Sequence, residues 1–214
     1  MIKKIILGGL VIGGNLNEKE SLKFLEHARY LGIEDIDTGS LYGNGNSEAI
    51  ISKYNKRRDN KKFKVHTKIG LIKKLRKDNS FGVDLAKLTP KYIEESTKES
   101  LKRLNTDRIE RVSLHGFCNY VPIEDQVGIL STLIQNGFIK SYGICNFEED
   151  QLEKWINTCS KFNLILPKSL DVNFNLFEQR AKLKMFPLLE SNSIEGIPYR
   201  VFCRGLLAGR YLKT

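Results

Sequence analysis

At 214 residues, 41% hydrophobic and with a mean hydropathy of −0.32, the chain has the composition of a globular protein long enough to bury one sizeable core. No run of about 18 apolar residues occurs, which excludes a helical membrane span. The four cysteines (Cys118, Cys145, Cys159 and Cys203) lack CxxC spacing, which excludes a disulfide framework and leads us to expect free thiols in a cytoplasmic protein. The net charge of +10 is concentrated in residues 53–77, where Lys53, Lys56, Arg57, Arg58, Lys61, Lys62, Lys64, Lys68, Lys73, Lys74, Arg76 and Lys77 face only Asp59. Aromatic residues are not interleaved with these cations as a single-strand groove requires, so we expect a solvated basic surface and no nucleic-acid partner.

The chain opens on Ile5-Ile6-Leu7-Gly8-Gly9-Leu10-Val11-Ile12 behind Lys3-Lys4, an imitation of a signal peptide. No A-x-A cleavage site follows, and a first buried strand is the simpler reading. From there apolar runs alternate with helix-like segments. Strands are predicted near 3–12, 33–38, 63–69, 109–115, 139–145, 169–175 and 197–203, and helices near 18–31, 46–58, 90–104, 123–136, 149–161 and 181–191. Leu22, Leu25, Ala28 and Leu31 form one helical stripe, and Ile93, Thr97, Ser100, Leu101 and Leu104 form another. Thr89 before Pro90 reads as an N-cap, and Gly32 and Gly137 stand where helices stop.

Such alternation calls for a parallel sheet with helical crossovers in a single domain covering residues 1–214. Neither GxGxxG nor GxxxxGK[ST] occurs, so a nucleotide would bind at a barrel mouth rather than in a dinucleotide-binding crevice. The expected fold is an α/β barrel of the TIM (β/α)8 type, but incomplete. Seven strands fit, the last β/α unit is missing, and a closed barrel typically needs about 250 residues. Its open edges would be covered by a partner or by self-association. Only three histidines exist (His27, His66, His115), none at helical ligand spacing, so no metal site is expected.

Asp37, Lys68 and His115 close three successive predicted strands, and Tyr42 follows the first of them. Parallel barrels build their active sites from such strand ends. An acid, an amine, an imidazole and a phenol at one mouth suit proton transfer to or from a polarised oxygen.

Several blocks in order resemble the aldo-keto reductase family: Asp37-Thr38-Gly39-Ser40-Leu41-Tyr42-Gly43-Asn44-Gly45-Asn46-Ser47-Glu48, Thr67-Lys68-Ile69-Gly70, Ser100-Leu101-Lys102-Arg103-Leu104-Asn105-Thr106-Asp107, Leu114-His115, and Gly137-Phe138-Ile139-Lys140-Ser141-Tyr142-Gly143-Ile144-Cys145-Asn146-Phe147. The resemblance runs from Leu7 to Tyr211. It implies a catalytic tetrad of Asp37, Tyr42, Lys68 and His115, in which Tyr42 is the general acid, Lys68 lowers its pKa, Asp37 holds Lys68, and His115 orients the carbonyl. It also implies reduction of a small aldehyde or ketone, with a sugar-like compound among the candidates, by NADPH, with NADH as the other candidate.

The resemblance assigns cofactor contacts to Cys145, Asn146, Asp171 and Phe202. Two of these depart from the family pattern: Cys145 replaces its serine and Asp171 its glutamine. A thiol is a weak donor, and a carboxylate accepts but does not donate. The family's basic contacts to the adenosine 2′-phosphate would lie beyond Thr214, so weakened NADPH binding is expected, and both an active reductase and one inactive through truncation stay open alongside the intact tetrad. Two other readings follow from the residues: a barrel lyase or aldolase using Lys68 as a Schiff-base amine, and a non-catalytic barrel that binds a partner. Phe81, Phe117, Tyr120 and Trp155 are candidate pocket residues, Trp155 more for packing.

Overall fold

The structure, a computed structural model, describes residues 5–57, 62–76 and 81–212, without the side chain of Phe81. The predicted part of the first strand before Ile5, the basic residues Arg58, Lys61 and Lys77, and the Phe81 side chain as a pocket wall lie outside the described residues.

Elements follow in the order β1 (Ile6–Gly8), α1 (Glu18–Tyr30), β2 (Asp35–Asp37), α2 (Asn46–Lys56), β3 (Lys64–Ile69), β4 (Leu71–Leu75), β5 (Phe81–Leu85), α3 (Pro90–Leu104), β6 (Ile109–Leu114), α4 (Ile123–Gln135), β7 (Ile139–Cys145), α5 (Glu149–Lys161), β8 (Ser169–Asn173), α6 (Met185–Ser191) and β9 (Glu195–Tyr199). Seven of the strands form one parallel sheet in the order β1-β2-β3-β6-β7-β8-β9. This is the incomplete (β/α) barrel that the alternation predicts.

Side chains alternate across the sheet. Ile36, Ile69, Val112, Leu114, Tyr142, Ile144, Leu170 and Val172 are buried in one core with Leu25, Ile51, Ile93, Leu130 and Trp155 of the helices. The alternate positions of the central strands are polar: Asp35 and Asp37 on β2, His66 and Lys68 on β3, Arg111 and Ser113 on β6, Ser169 and Asp171 on β8. All but Asp37 are buried. The sheet therefore has a dry helix face and an ionisable inner face.

The helices follow local rules. Thr89 caps α3 by accepting from Tyr92 N, with Pro90 at the first position, and all five residues of its predicted stripe are buried. Asn17 and Glu20 close a capping box on α1. On that helix Leu31 is not part of the buried stripe; it is 62% exposed beyond the last turn, and Ser21 is buried instead. Gly32 and Gly137 lie just past their helices with φ of 81° and 77°.

Four differences from the sequence expectation exceed a shift of one or two residues at an end. The first strand is short because the glycine-rich segment after it turns back, bridging Ile12 to Leu16. Residues 71–75 and 81–85 pair as an antiparallel hairpin that periodicity did not distinguish from a loop. The predicted helix 181–191 begins at Met185, after a 3-10 turn over Arg180–Lys182. The last strand stops at Tyr199, four residues early, because Arg200, Cys203 and Arg204 have positive φ and leave the sheet.

The basic run is divided among different surfaces. Lys53 pairs with Glu18, Lys64 with Glu34 and Lys74 with Asp84, while Lys68 is interior.

Glu48 of α2 is fully buried, accepting from Thr67 Oγ1 at 2.6 Å and from Arg103 Nε of α3 at 2.5 Å. This ties α2, β3 and α3 together beneath the mouth. Arg103→Met should lower stability by about 3–5 kcal/mol, because it leaves a buried carboxylate uncompensated. The double variant Arg103→Met/Glu48→Gln should recover most of that loss. Urea unfolding of the three proteins checks this.

Candidate active site

Parallel pairing places Gly8, Asp37, Lys68, His115, Cys145 and Asp171 at or near the ends of adjoining strands, on one side of the sheet. The loop after β2 is fastened to its neighbour: Thr38 N donates to His66 O at 2.8 Å and Ser40 N to Lys68 O at 2.8 Å. Tyr42 N closes the turn on Gly39 O at 2.9 Å. Gly43 follows with φ of 55°, and a Cβ there would stand 2.6 Å from Gly13 O, so glycine alone lets the loop seat Tyr42 this close to the segment after β1.

Lys68, 4% exposed, donates to both carboxylate oxygens of Asp37. Its Nζ also lies 3.3 Å from Oδ2 of Asp171, which is itself 4% exposed. One ammonium thus serves two carboxylates. The same Nζ is 5.8 Å from the centroid of the Tyr42 ring, and Tyr42 meets His115 edge-on at 6.0 Å between ring centroids. The four tetrad residues inferred from the sequence are brought together, with Asp171 added as a second anion on Lys68.

Burial opposes the Lys68 charge, but Asp37 and Asp171 outweigh it and hold the ammonium above the ordinary lysine range. Burial also pushes Asp37 above the usual carboxylate range; Lys68 pulls it down and Asp171 pushes it up. Tyr42 is pushed up to about 12 by burial, with Lys68 opposing and Asp37 adding to the rise. The sequence argument expected Lys68 to make the phenol more acidic. Its pull is in that direction, but burial wins. Burial, then Lys68, carries His115 down to about 3, so the ring is neutral at ordinary pH. The Cys145 thiol is driven up by burial and next by Asp171, and stays protonated.

The four residues assigned to a cofactor divide. Cys145 and Asp171 are directly paired across β7 and β8 and are buried. Asn146 follows Cys145 with φ of 58°; its Nδ2 donates to His115 O at 3.0 Å and its Oδ1 accepts from Tyr199 OH at 2.6 Å. Phe202 stands apart, 63% exposed in the turn after β9. Of the candidate pocket residues, Phe117 and Tyr120 line a cleft of about 400 Å³ beside α5, whereas Trp155 is fully buried and donates to Tyr142 OH at 3.3 Å. Sequence reading missed Arg111, 3% exposed on the inner face of β6, and Tyr199, which fixes Asn146. It also missed the buried Asp35–His66 pair, 2.6 Å apart.

A carboxamide offers two N–H donors, and Oδ1 of Asp171 is a buried acceptor with no hydrogen-bond partner. That acceptor suits the N–H side of a nicotinamide carboxamide. Among the described residues no group of three or more metal-ligating side chains occurs.

The model of the Aldo/keto reductase family matches residues 4–214. The chain belongs to the aldo-keto reductases. It is 30% identical to aldo-keto reductase YhdN of Bacillus subtilis over 95% of its own length and 58% of that protein. It is 28% identical to the NADH-specific methylglyoxal reductase of Escherichia coli, over 94% of the chain and 62% of that enzyme. A glycerol dehydrogenase structure from Gluconobacter oxydans superposes with a TM-score of 0.85 at 27% identity, covering 98% of this chain and 63% of that one. The chain thus spans about three fifths of the length of these relatives.

The double pairing of Lys68 has a measurable consequence. Lys68→Met leaves the buried Asp171 and the half-buried Asp37 without the cation they share and should lower stability by about 3–5 kcal/mol near neutral pH. That deficit should shrink on acidification, since Asp37, whose carboxyl burial holds above its unfolded pKa, favours the fold below that pKa and loses the contribution as pH rises. Asp37→Asn leaves Lys68 paired with Asp171 and should be the milder change. Denaturation from pH 5 to pH 8 compares them.

Proposed function

We propose that this chain carries the active site of a nicotinamide-dependent carbonyl reductase, with Tyr42 as the general acid. The observation that carries this reading is the Lys68 ammonium held between Asp37 and Asp171 beside Tyr42, with a neutral His115 against the same ring. A bound NADPH or NADH supplies hydride to the carbonyl carbon. Tyr42 OH donates the proton that the oxygen needs as negative charge grows on it. His115, neutral and therefore able to donate one N–H, orients and polarises that oxygen. Lys68 offsets the charge left on the Tyr42 oxygen after the proton departs, and Asp37 fixes the ammonium there. Asp171 and Asn146 would hold the carboxamide, Asp171 accepting through Oδ1; the unpartnered Oδ1 supports this reading.

A phenol with a pKa pushed up to about 12 keeps its proton over a wide pH range, so the form able to donate is the populated one and the form able to accept is scarce. This favours carbonyl reduction over alcohol oxidation. The Lys68 Schiff-base reading is disfavoured because an amine must lose its proton to attack a carbonyl, and two carboxylates hold that proton on. The substrate we infer is a small polar aldehyde or ketone. The E. coli relative's named substrate, methylglyoxal, is a reasonable first probe, and its NADH specificity places both nicotinamides in the test.

Consumption of reduced nicotinamide with a panel of small aldehydes and ketones tests the proposal. Tyr42→Phe should reduce kcat by about 10²–10⁴-fold. Carbonyl reduction should stay nearly level from pH 6 to about pH 10, since neither His115 nor Tyr42 titrates there, and should fall only as the phenol ionises. Turnover that survives Tyr42→Phe, or a trapped Lys68 adduct with a keto compound and borohydride, would overturn it.

A further inference from the structure

Two carboxylates share the buried Lys68, so the group formed by Asp37, Asp171 and Lys68 alone has one negative charge too many. Arg111 is a buried cation on the same inner face whose charge acts on Asp37. It pairs in register with His66, one inner layer below the Lys68–Ser113 pair, and is 3% exposed. Its Nε and Nη2 are buried without a hydrogen-bond partner, as are Oδ1 of Asp171 and Oγ of Ser169 on β8. The arginine stem crosses β7 where that strand has no side chain. A Cβ on Gly143 would lie 3.2 Å from Arg111 Cδ and 2.6 Å and 2.8 Å from the hydroxyls of Ser113 and Ser169.

We propose that Arg111 is a positioning residue whose guanidinium supplies the second positive charge, letting Asp37 remain a carboxylate on Lys68 while Asp171 shares the same ammonium. Its functional half rests on the reductase reading above; its electrostatic half does not. The groups facing this cluster support the assignment. On β2, Asp35 has its own partner in His66 of β3. On β7, Cys145 is a neutral thiol. Above, Tyr42 is a neutral phenol and His115 a neutral ring. The Arg111 charge acts on Asp37 and on Cys145, in each case favouring the anion, opposite in sense to Asp171. With Arg111 in place two cations balance two carboxylates. Without it, a proton on Asp37 is the simplest way to restore neutrality, and a protonated Asp37 no longer anchors Lys68.

The test is the carboxyl titration of Asp37, followed by carbon NMR and assigned with Asp37→Asn, in the purified chain and in Arg111→Met, Arg111→Lys and Arg111→Met/Asp171→Asn. Arg111→Met should raise the proton affinity of Asp37 by at least about tenfold. Arg111→Lys should reverse much of that. The double variant, which removes one charge of each sign, should restore it fully, a rescue that a merely space-filling arginine would not produce. In turnover, Arg111→Met should move the alkaline limb of carbonyl reduction to higher pH and lower kcat more than it alters KM. An Asp37 titration unchanged in a folded Arg111→Met, or a response confined to Asp35, would overturn the proposal. If Arg111→Met alone does not fold, failure of the double variant to fold or to titrate normally would overturn it too. Absence of hydride transfer by the unsubstituted chain would defeat the reductase reading, while the Asp37 titration would still decide the role of Arg111.

Discussion

One buried ammonium governs this structure. Lys68 is held between Asp37 and Asp171 on the inner face of a parallel sheet, and the neighbouring groups take their states from that arrangement and from burial. Burial by itself would neutralise a lysine. Two carboxylates reverse this and fix a positive charge beside a phenol and an imidazole that both stay neutral. The site thus stores its charge in the lysine and keeps its proton on the tyrosine, which is the division of labour that an acid-assisted hydride transfer requires.

The sheet makes this arrangement affordable. Because successive residues face opposite sides, the same strands that give Ile36, Ile69, Val112 and Leu170 to the helix-side core give Asp37, Lys68, Arg111 and Asp171 to the inner face. Stability and chemistry are separated by one residue of register, so a slip of one position would exchange them. The buried Glu48–Arg103 pair and the loop bonds from Thr38 and Ser40 to β3 keep that register where Tyr42 must be placed.

Much of this was legible in the sequence, and the reasons are local. Polar residues ending apolar runs marked Asp37, Lys68 and His115, and Thr89-Pro90 marked the start of α3. The parallel order followed from alternation alone. What escaped was set by tertiary contact. The β4–β5 hairpin carries no strict alternation, and the sheet ended at Tyr199 because backbone conformations of Arg200 and Cys203 that no composition signals turned the chain away. Arg111 does carry a sequence signal: Arg111 and Ser113 of β6 and His115 just after it fall on every second position, which puts a cation on the same face as an expected catalytic histidine. The elevated pKa of Tyr42 could not have been read in advance, because it depends on a depth of burial and on an Asp37 contact that exist only in the folded chain.

The central claim is that this chain holds a nicotinamide beside Tyr42, and equilibrium titration with NADPH and with NADH, following quenching of protein fluorescence, tests it most directly. The account predicts saturable binding of at least one of them, weakened in Asp171→Ala, which would lose the proposed carboxamide acceptor, and retained in Tyr42→Phe, which would lose only the proposed proton donor. No binding of either nucleotide up to millimolar concentration, by a chain shown to be folded, would contradict it.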